Sequence, residues 1–408
     1  MNFEEAVKYL LSLGHETLAI KLGLRNTELL LNALDNPERA FPAVQIAGTN
    51  GKGSTAAMLD SICRAAGIKS GLYTSPHLVS ITERIRIAGE QITEADFARH
   101  TTTARDASRS LLETGQITAL PTFFEQVTAV ALIAFREAGV ELAILETGLG
   151  GRLDSTTAAK AGVVAITQIA MDHEQYLGET IQSIAAEKAA IIRPGVTAII
   201  GKQNPEALSV LLERCRETGV SPVFADTANL EGIRIGLRGR HQVENAAVAV
   251  RVAESLSIPR DAIFKGIETA QHHGRLELLP GEPPILLDGA HNPAGAEALR
   301  DYLIEFGQHP LTIVFGAMSD KKLDRIGELL FPLADNLILT VIDNPRAASL
   351  ATLETIASHF SRGSISTFNT VSGALHAALR NTPREGMICV TGSLYLIGEW
   401  KKENDHAA

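Results

Sequence analysis

Cysteine is scarce in this chain of 408 residues: Cys63, Cys215 and Cys389 stand far apart, and no CxxC pair occurs. An odd, scattered set of three is neither a disulfide framework nor a zinc site, and it fits a reducing, cytoplasmic setting. A signal peptide is not expected, because the chain opens MNFEEAVKYLL, with acids at Glu4 and Glu5 and no basic stretch before an apolar one. Long apolar runs are missing too. The longest uncharged run, Gly363 to Leu379, is full of Ser, Thr, Gly and Asn, which excludes a transmembrane helix there. Positive charge is in deficit, with 37 Lys and Arg against 47 Asp and Glu, a net charge of −10. That balance argues against a general nucleic-acid or anionic-membrane binder, which needs a basic face. It leaves anionic small molecules open, since a local pocket can be basic on an acidic protein. No internal repeat is visible, and no low-complexity tail beyond the short charged C-terminus.

What is present reads as an ordinary globular chain. Hydrophobic residues make up 45% and charged residues 21%, and the length suits two or three domains. Short buried-strand runs at Phe41–Ala47, Ile68–Tyr73, Leu142–Glu146 and Val163–Thr167 alternate with helical-period segments at Thr55–Ala66, Thr93–Leu112, Thr122–Ala138 and Glu179–Ile192. This alternation predicts an α/β fold, a mainly parallel sheet covered by helices, with ligands at the carboxyl ends of its strands. The segment Gln271–Pro284 is dense in Gly and Pro, and a second alternating set follows it. Strands are expected at Ile285–Asp288, Leu311–Phe315, Asn336–Ile342 and Met387–Thr391. Helices are expected at Ala294–Phe306, Lys321–Leu330, Leu350–Phe360 and Val371–Leu379. The expected division is a P-loop ATPase-like domain over 1–280 and a smaller Rossmann-like domain over 281–408.

After the first strong strand comes Gly48-Thr49-Asn50-Gly51-Lys52-Gly53-Ser54-Thr55. Glycines let backbone N–H groups turn toward phosphate oxygens, the lysine sets a charge near the β- and γ-phosphates, and a hydroxyl can reach Mg²⁺. A helix N-terminus adds its partial positive charge. The fit to G-x-x-x-x-G-K-[ST] is imperfect: two residues, not four, separate Gly48 from Gly51, and Gly53 precedes the first hydroxyl. The bland alternative is a Gly-rich turn with a solvated lysine; the strand–loop–helix context favours phosphate.

GTNGKGS resembles the nucleotide loop of the Mur-ligase superfamily, in its folylpolyglutamate synthase/dihydrofolate synthase branch. The resemblance recurs in Thr74-Ser75-Pro76-His77-Leu78, in Glu146-Thr147-Gly148-Leu149-Gly150-Gly151-Arg152-Leu153-Asp154, and in Asp172-His173. It continues through Glu187-Lys188-Ala189, His241-Gln242-Val243-Glu244-Asn245-Ala246 and Gly274-Arg275-Leu276-Glu277. The last blocks are Asp288-Gly289-Ala290-His291-Asn292-Pro293 and Thr391-Gly392-Ser393-Leu394-Tyr395. The blocks keep the family's order and span nearly the whole chain.

Glu146 ends the strand LAILE, where a carboxylate is a hard oxygen ligand suited to Mg²⁺, or else a strand-terminal acid in solvent. The resemblance implies Mg²⁺ ligation at Ser75, Glu146 and His173. Imidazole suits softer metals, so only the resemblance carries His173. Read alone, Lys188 in AAEKAAII is a helical lysine snorkelling from an apolar face. The resemblance makes it a lysine carboxylated by CO₂, an anionic oxygen ligand near a second metal; Ala190 stands where the family often has Gly. Two Mg²⁺ ions are implied, with a monovalent cation left open.

By the same resemblance ATP is held by Gly48, Thr49, Asn50, Gly51, Lys52, Gly53, Ser54, Asn245, Arg275 and Asp288, the last three reaching the nucleotide from both domains and the linker. The matching catalytic set is Lys52, Glu146, His173, Lys188 and Arg275. His291 and Ser393 match positions that line the amino-acid site. The pterin-bearing acceptor falls to Leu22, Gly23, Thr122, Phe123, Phe124, Glu125, Leu153, Asp154 and Ser155. Phe123 or Phe124 can stack on a flat pterin, although both also read as core residues of a helix. Lys21, Thr157 and Lys322 depart from the family's usual residues, and the first two leave pterin preference open.

The implied activity is an ATP-dependent amide ligase that adds L-glutamate to dihydropteroate, to reduced folate glutamates, or to both, through an acyl phosphate. The expected enzyme is a cytoplasmic monomer with small-molecule substrates and no nucleic-acid or membrane partner. A peptidoglycan-precursor ligase is disfavoured, because no separate domain for a UDP-sugar precedes the loop at residue 48. The −10 charge and the absence of a basic stripe count against a nucleic-acid motor, and a nucleotide-dependent switch would show ATP turnover with no need for glutamate. A degenerate nucleotide binder conflicts with the intact Lys52, Glu146, Lys188, Arg275 and Asp288.

Overall fold

The computed structural model describes residues 1–14 and 23–405. It divides into two compact units. The first comprises Met1–Pro76, Ile81–Gly236 and Val243–Gln271; the second comprises His77–Ser80, Leu237–Gln242 and the chain from His272 onward.

The first unit is built on eight strands: β1 Ala43–Ala47, β2 Ser70–Tyr73, β3 Ile85–Ile87, β4 Glu90–Gln91, β5 Leu142–Glu146, β6 Val163–Ile166, β7 Thr197–Ile200 and β8 Pro222–Phe224. Their order is β4-β3-β2-β5-β1-β6-β7-β8, parallel except that β3 runs antiparallel to both β2 and β4. All five residues of β1 and of β5 are buried. Strands covered on both faces lose the in–out alternation of a half-exposed sheet, which is why these read as continuous apolar runs. Register sets Ile46 of β1 beside Glu146 of β5 and Ala165 of β6, so the chain leaves all three at one edge.

Helix Phe123–Ala138 covers one face, burying Val127, Val130, Leu132 and Phe135. Thr122 and Glu125 close a capping box at its start, and Gly139 ends it in the left-handed region. Helix Lys52–Ala65 is packed by helix Arg260–Thr269. The contact is made at Gly266, where a Cβ would lie 2.3 Å from the Ile62 Cα. Glycine costs about 1 kcal/mol against alanine inside a helix; here backbone-to-backbone approach requires it.

The second unit carries β9 Glu277–Leu279, β10 Ile285–Asp288, β11 Leu311–Phe315, β12 Asn336–Thr340, β13 Ser364–Phe368 and β14 Met387–Thr391. The order is β13-β12-β11-β14-β10-β9, with only β9 antiparallel. One face buries Leu299, Leu303, Phe315, Ile326 and Phe331; the other buries Ile338, Leu375, Ile397 and Trp400. Because β9 pairs with β10, the chain passes to the second unit at 271/272 instead of 280/281. The Gly- and Pro-rich segment therefore contains a strand of the second sheet. No described helix is long and apolar enough to cross a membrane.

Glu277 ties this segment down. It accepts from the Gly274 N–H at 2.7 Å, from His273 Nδ1 at 2.8 Å and from Lys401 Nζ at 2.8 Å. Burial alone would raise its carboxyl, but these donors hold it down at about 2. Its contribution to stability is then present above the ordinary glutamate range and lost as pH falls toward 2. Glu277→Gln is expected to destabilise the protein at neutral pH by about 1–2 kcal/mol. In urea melts the gap from wild type should close as pH falls below about 4.

Candidate active site

The loop at 48–51 leads from β1 into helix Lys52–Ala65 and is braced by the chain that follows β6. The Thr49 and Asn50 N–H groups donate to the Gln168 carbonyl at 2.8 and 3.2 Å. The Thr49 hydroxyl donates to Ala170 O and accepts from Ala170 N–H, both at 3.0 Å. The Thr167 hydroxyl donates to Asn50 O at 2.7 Å, and Lys52 Nζ to Thr49 O at 3.2 Å.

Two glycines are obligatory. A Cβ on Gly48 would lie 1.9 Å from Thr167 Oγ1, and one on Gly51, with φ of +85°, 2.0 Å from Asn245 Oδ1. The first intrahelical bond runs from Thr55 N–H to Gly51 O. The amides of Lys52, Gly53 and Ser54 precede it, so they are the donors aimed out of the helix N-terminus, where an anion binds.

Glu146 is buried at the end of β5, and its Oε2 accepts from the Ser75 N–H at 3.1 Å. His173 takes the left-handed conformation with its side chain about one-third exposed, and Asp172 Oδ1 accepts its N–H at 2.9 Å. Lys188 lies buried on helix Ile181–Ala189. Burial first, then the positive charge of Lys52, brings its amine down to about 7, against the opposing pull of Asp172, Asp154 and Glu187. The charges of Lys52 and Asp172 thus both bear on Lys188, in opposite senses. Asp172 carries no sequence signal of its own as a site residue beyond its place next to His173.

Among the described residues no three His, Cys, Asp or Glu side chains converge as a ready-made metal cage. That suits Mg²⁺, which uses one or two carboxylates, substrate phosphates and several waters. The buried Glu146 carboxylate at the strand edge and the Ser75 hydroxyl are hard oxygen donors of that kind.

The expected acceptor residues separate. Phe123 is 4% exposed, packed in the core with the Arg84 guanidinium 5.3 Å from its ring centre. Phe124 is half-buried, and its ring occupies the space a side chain on residue 148 would need. Thr122 and Glu125 cap one another, and Glu125 also accepts from the Thr27 hydroxyl at 3.2 Å. Ser155 shares a 2.6 Å hydrogen bond with Thr128. Asp154 is taken up by its own loop, accepting from Gly148, Leu149 and Thr156 N–H at 2.9, 3.0 and 3.0 Å. Burial nonetheless raises its carboxyl above the ordinary range. Leu153 lies half-buried beside it, and Gly23 stands just ahead of helix Arg25–Ala33. Lys21 and Leu22 fall outside the described residues.

In the second unit Asp288 ends β10 and accepts from Leu276 N–H at 2.9 Å and Ala290 N–H at 3.0 Å. Burial raises its carboxyl, and the Arg275 charge pulls the other way. Arg275 donates to Gly289 O at 3.2 Å, and His291 Nδ1 donates to the same oxygen at 2.8 Å. Burial and Arg275 lower His241 to about 4, so that imidazole is neutral at pH 7. Register pairs Asp288 with Thr391, so His291 and Ser393 follow the carboxyl ends of adjacent parallel strands. Ser393 accepts from Tyr395 N–H at 3.1 Å. Lys322 stands at the start of helix Leu323–Leu330.

Residues 46–221 match the Mur ligase middle domain, and residues 274–394 match the Mur ligase glutamate ligase domain. A probable bifunctional folylpolyglutamate synthase/dihydropteroate synthase of Halobacterium salinarum is 34% identical over 98% of this chain. The chain spans about half the length of that relative, 51%. The dihydrofolate synthase/folylpolyglutamate synthase of Bacillus subtilis is also 34% identical, over 95% of this chain and 96% of its own. Among solved structures, E. coli FolC in complex with DHPP and ADP superposes with a TM-score of 0.88 at 31% identity, covering 100% of this chain and 98% of that one. A bifunctional folylpolyglutamate synthase/dihydrofolate synthase with Mn, AMPPNP and L-glutamate bound gives 0.87 at 30%, covering 99% and 98%.

Proposed function

Because this chain belongs to the Mur ligase family, in its folylpolyglutamate synthase/dihydrofolate synthase branch, we propose that it is an ATP-dependent ligase joining L-glutamate to a pterin-bearing carboxylic acid. The observation that carries this reading is the meeting, at one edge of the first sheet, of the open helix N-terminus that starts at Lys52 and the buried Glu146 carboxylate.

A carboxylate is a poor electrophile at neutral pH. Its oxygen attacks the γ-phosphorus of ATP, ADP leaves, and the acyl phosphate now carries a good leaving group. The glutamate amine adds to the acyl carbon, the tetrahedral adduct collapses, and phosphate departs while the nitrogen loses its proton. Most of the catalysis is positioning and charge neutralisation. The amides of Lys52, Gly53 and Ser54 hold the phosphates, and the Lys52 ammonium meets the charge that grows on the γ-phosphoryl oxygens. Arg275 is assigned to the same phosphoryl group on the family pattern, with Asn245 and Asp288 on the rest of the nucleotide. Glu146, with Ser75 and His173, would hold Mg²⁺, which when bound neutralises phosphate charge. Phe124, the loop Leu153–Ser155 and the segment around Leu22 and Gly23 take the acceptor; His291 and Ser393 take glutamate.

Lys188 is read as carboxylated. An amine brought down to about 7 is largely neutral at slightly alkaline pH, which is the form that adds to CO₂. Both acceptors, dihydropteroate and reduced folate glutamates, are assigned to the one site. The test is product mass from two parallel reactions with Mg-ATP and L-glutamate, one given dihydropteroate and the other reduced folate monoglutamate. Glutamyl products in both are expected, and product in one alone reduces the enzyme to that activity. ATP hydrolysis without a glutamate adduct in either would overturn the ligase reading in favour of a nucleotide switch.

A further inference from the structure

We infer that Gln45 is a positioning residue for the loop that follows Glu146: its buried amide sets the direction of two threonine hydroxyls, and those hydroxyls hold the Asp154 carboxylate and the Gly151 carbonyl. Gln45 sits in the middle of β1, wholly buried, between Leu145 of β5 and Val164 of β6. A polar side chain there is unfavourable unless it is hydrogen-bonded. Its Nε2 lies 3.0 Å from Thr156 Oγ1 and 2.7 Å from Thr157 Oγ1.

Each hydroxyl has one proton. That of Thr156 goes to Asp154 Oδ1 at 2.5 Å, and that of Thr157 goes to Gly151 O at 2.7 Å. Both threonine oxygens must therefore accept from Gln45, which fixes the amide with its NH₂ toward them. The opposite atom, Gln45 Oε1, is buried without a partner. An apolar residue would escape that penalty, so the two donors are what this side chain offers the fold.

The network reaches the loop at several points. Asp154 Oδ2 accepts from Gly148 and Leu149 N–H, two and three residues after Glu146. Thr157 grips Gly151 in the middle, and Thr156 closes the far end. Thr157, a departure from the family pattern, thus has a defined partner. Gln45 itself lies inside the sheet and acts on substrate only through this loop, so the inference rests on the reading that Leu153–Ser155 contact the acceptor.

The test is steady-state kinetics on wild type, Gln45→Leu, Gln45→Glu, Thr157→Val and Asp154→Asn, varying acceptor, ATP and glutamate in turn. The expected result for Gln45→Leu is an acceptor KM raised about tenfold with the KM for ATP within about twofold. Gln45→Glu should show the same loss near pH 8 and recover in part toward about pH 6, because a buried carboxyl protonates readily and regains one donor. Loss of folding alone would lower the apparent kcat through a smaller folded fraction, leave all three KM values near those of wild type and show no recovery at lower pH; that pattern overturns the inference. It is also overturned if Asp154→Asn raises the acceptor KM while both Gln45 variants stay within about twofold of wild type. If Asp154→Asn leaves the acceptor KM unchanged, the loop is not the acceptor site and the inference falls with that reading. Should Gln45→Leu fail to fold, Thr157→Val removes one grip while keeping Gln45, and the same KM split is required of it.

Discussion

Glu146→Gln should lower kcat by about a hundredfold to a thousandfold, the loss typical of removing one group that stabilises transition-state charge, while the melting temperature stays near that of wild type. The fold is spared because the amide oxygen of glutamine can still accept from the Ser75 N–H, the contact the carboxylate makes now. What disappears is the buried carboxylate at the end of β5, and with it the charge assigned to Mg²⁺. The variant should therefore require more Mg²⁺ for half-maximal rate, and the shift is read from a metal titration at saturating ATP. Near-normal turnover at ordinary Mg²⁺ would remove Glu146 from the metal site.

On the proposed carboxylated reading, Lys188→Met should reduce ligation by about a hundredfold or more, through loss of an anionic group assigned beside the phosphates. Stability should respond in the opposite sense. A buried lysine whose amine is lowered to about 7 binds fewer protons folded than unfolded between about pH 7 and pH 10. Stability then rises with pH through that window, and the burden of the buried cation is greatest below it. Methionine removes that burden, so at about pH 6 the variant should melt no lower than the wild type. The carboxylation itself is read by ¹³C NMR after adding labelled bicarbonate. A carbamate signal should be strong near pH 8 and weaken toward about pH 6 as the amine is protonated. No signal near pH 8 would return Lys188 to a plain buried lysine.

Legibility in the sequence followed burial and local chemistry. The central strands were readable because both faces are covered, so β5, β10, β11 and β14 have the bounds the apolar runs suggest. Strand β13, Ser-Ile-Ser-Thr-Phe, was not. It sits at a sheet edge with three exposed residues, and its hydrogen bonds to β12, not its hydrophobicity, make it a strand. The short β3–β4 pair escaped for the same reason. Among the candidate site residues, the glycine loop and the strand-end acids stood out in the sequence, since these are the residue types that a phosphate or Mg²⁺ reading starts from. The contrast between Phe123 and Phe124 did not, because adjacent helical positions differ only in which neighbour they face. Gln45 was equally silent. A lone glutamine in a strand has no motif, and its partners lie more than one hundred positions away in the chain.

The Gly266–Ile62 contact bears on how sequence variation in this protein should be interpreted. Residue 266 belongs to a helix outside the glycine loop, yet its backbone touches the helix into which that loop leads. A side chain there would push the helix that follows the glycine loop sideways by a sizeable fraction of a methyl diameter. Alanine, which improves most helices, would here weaken ATP affinity from a position remote in sequence. A survey of variants scored on conservation of motif residues would overlook position 266, and one scored on helix propensity would give it the wrong sign.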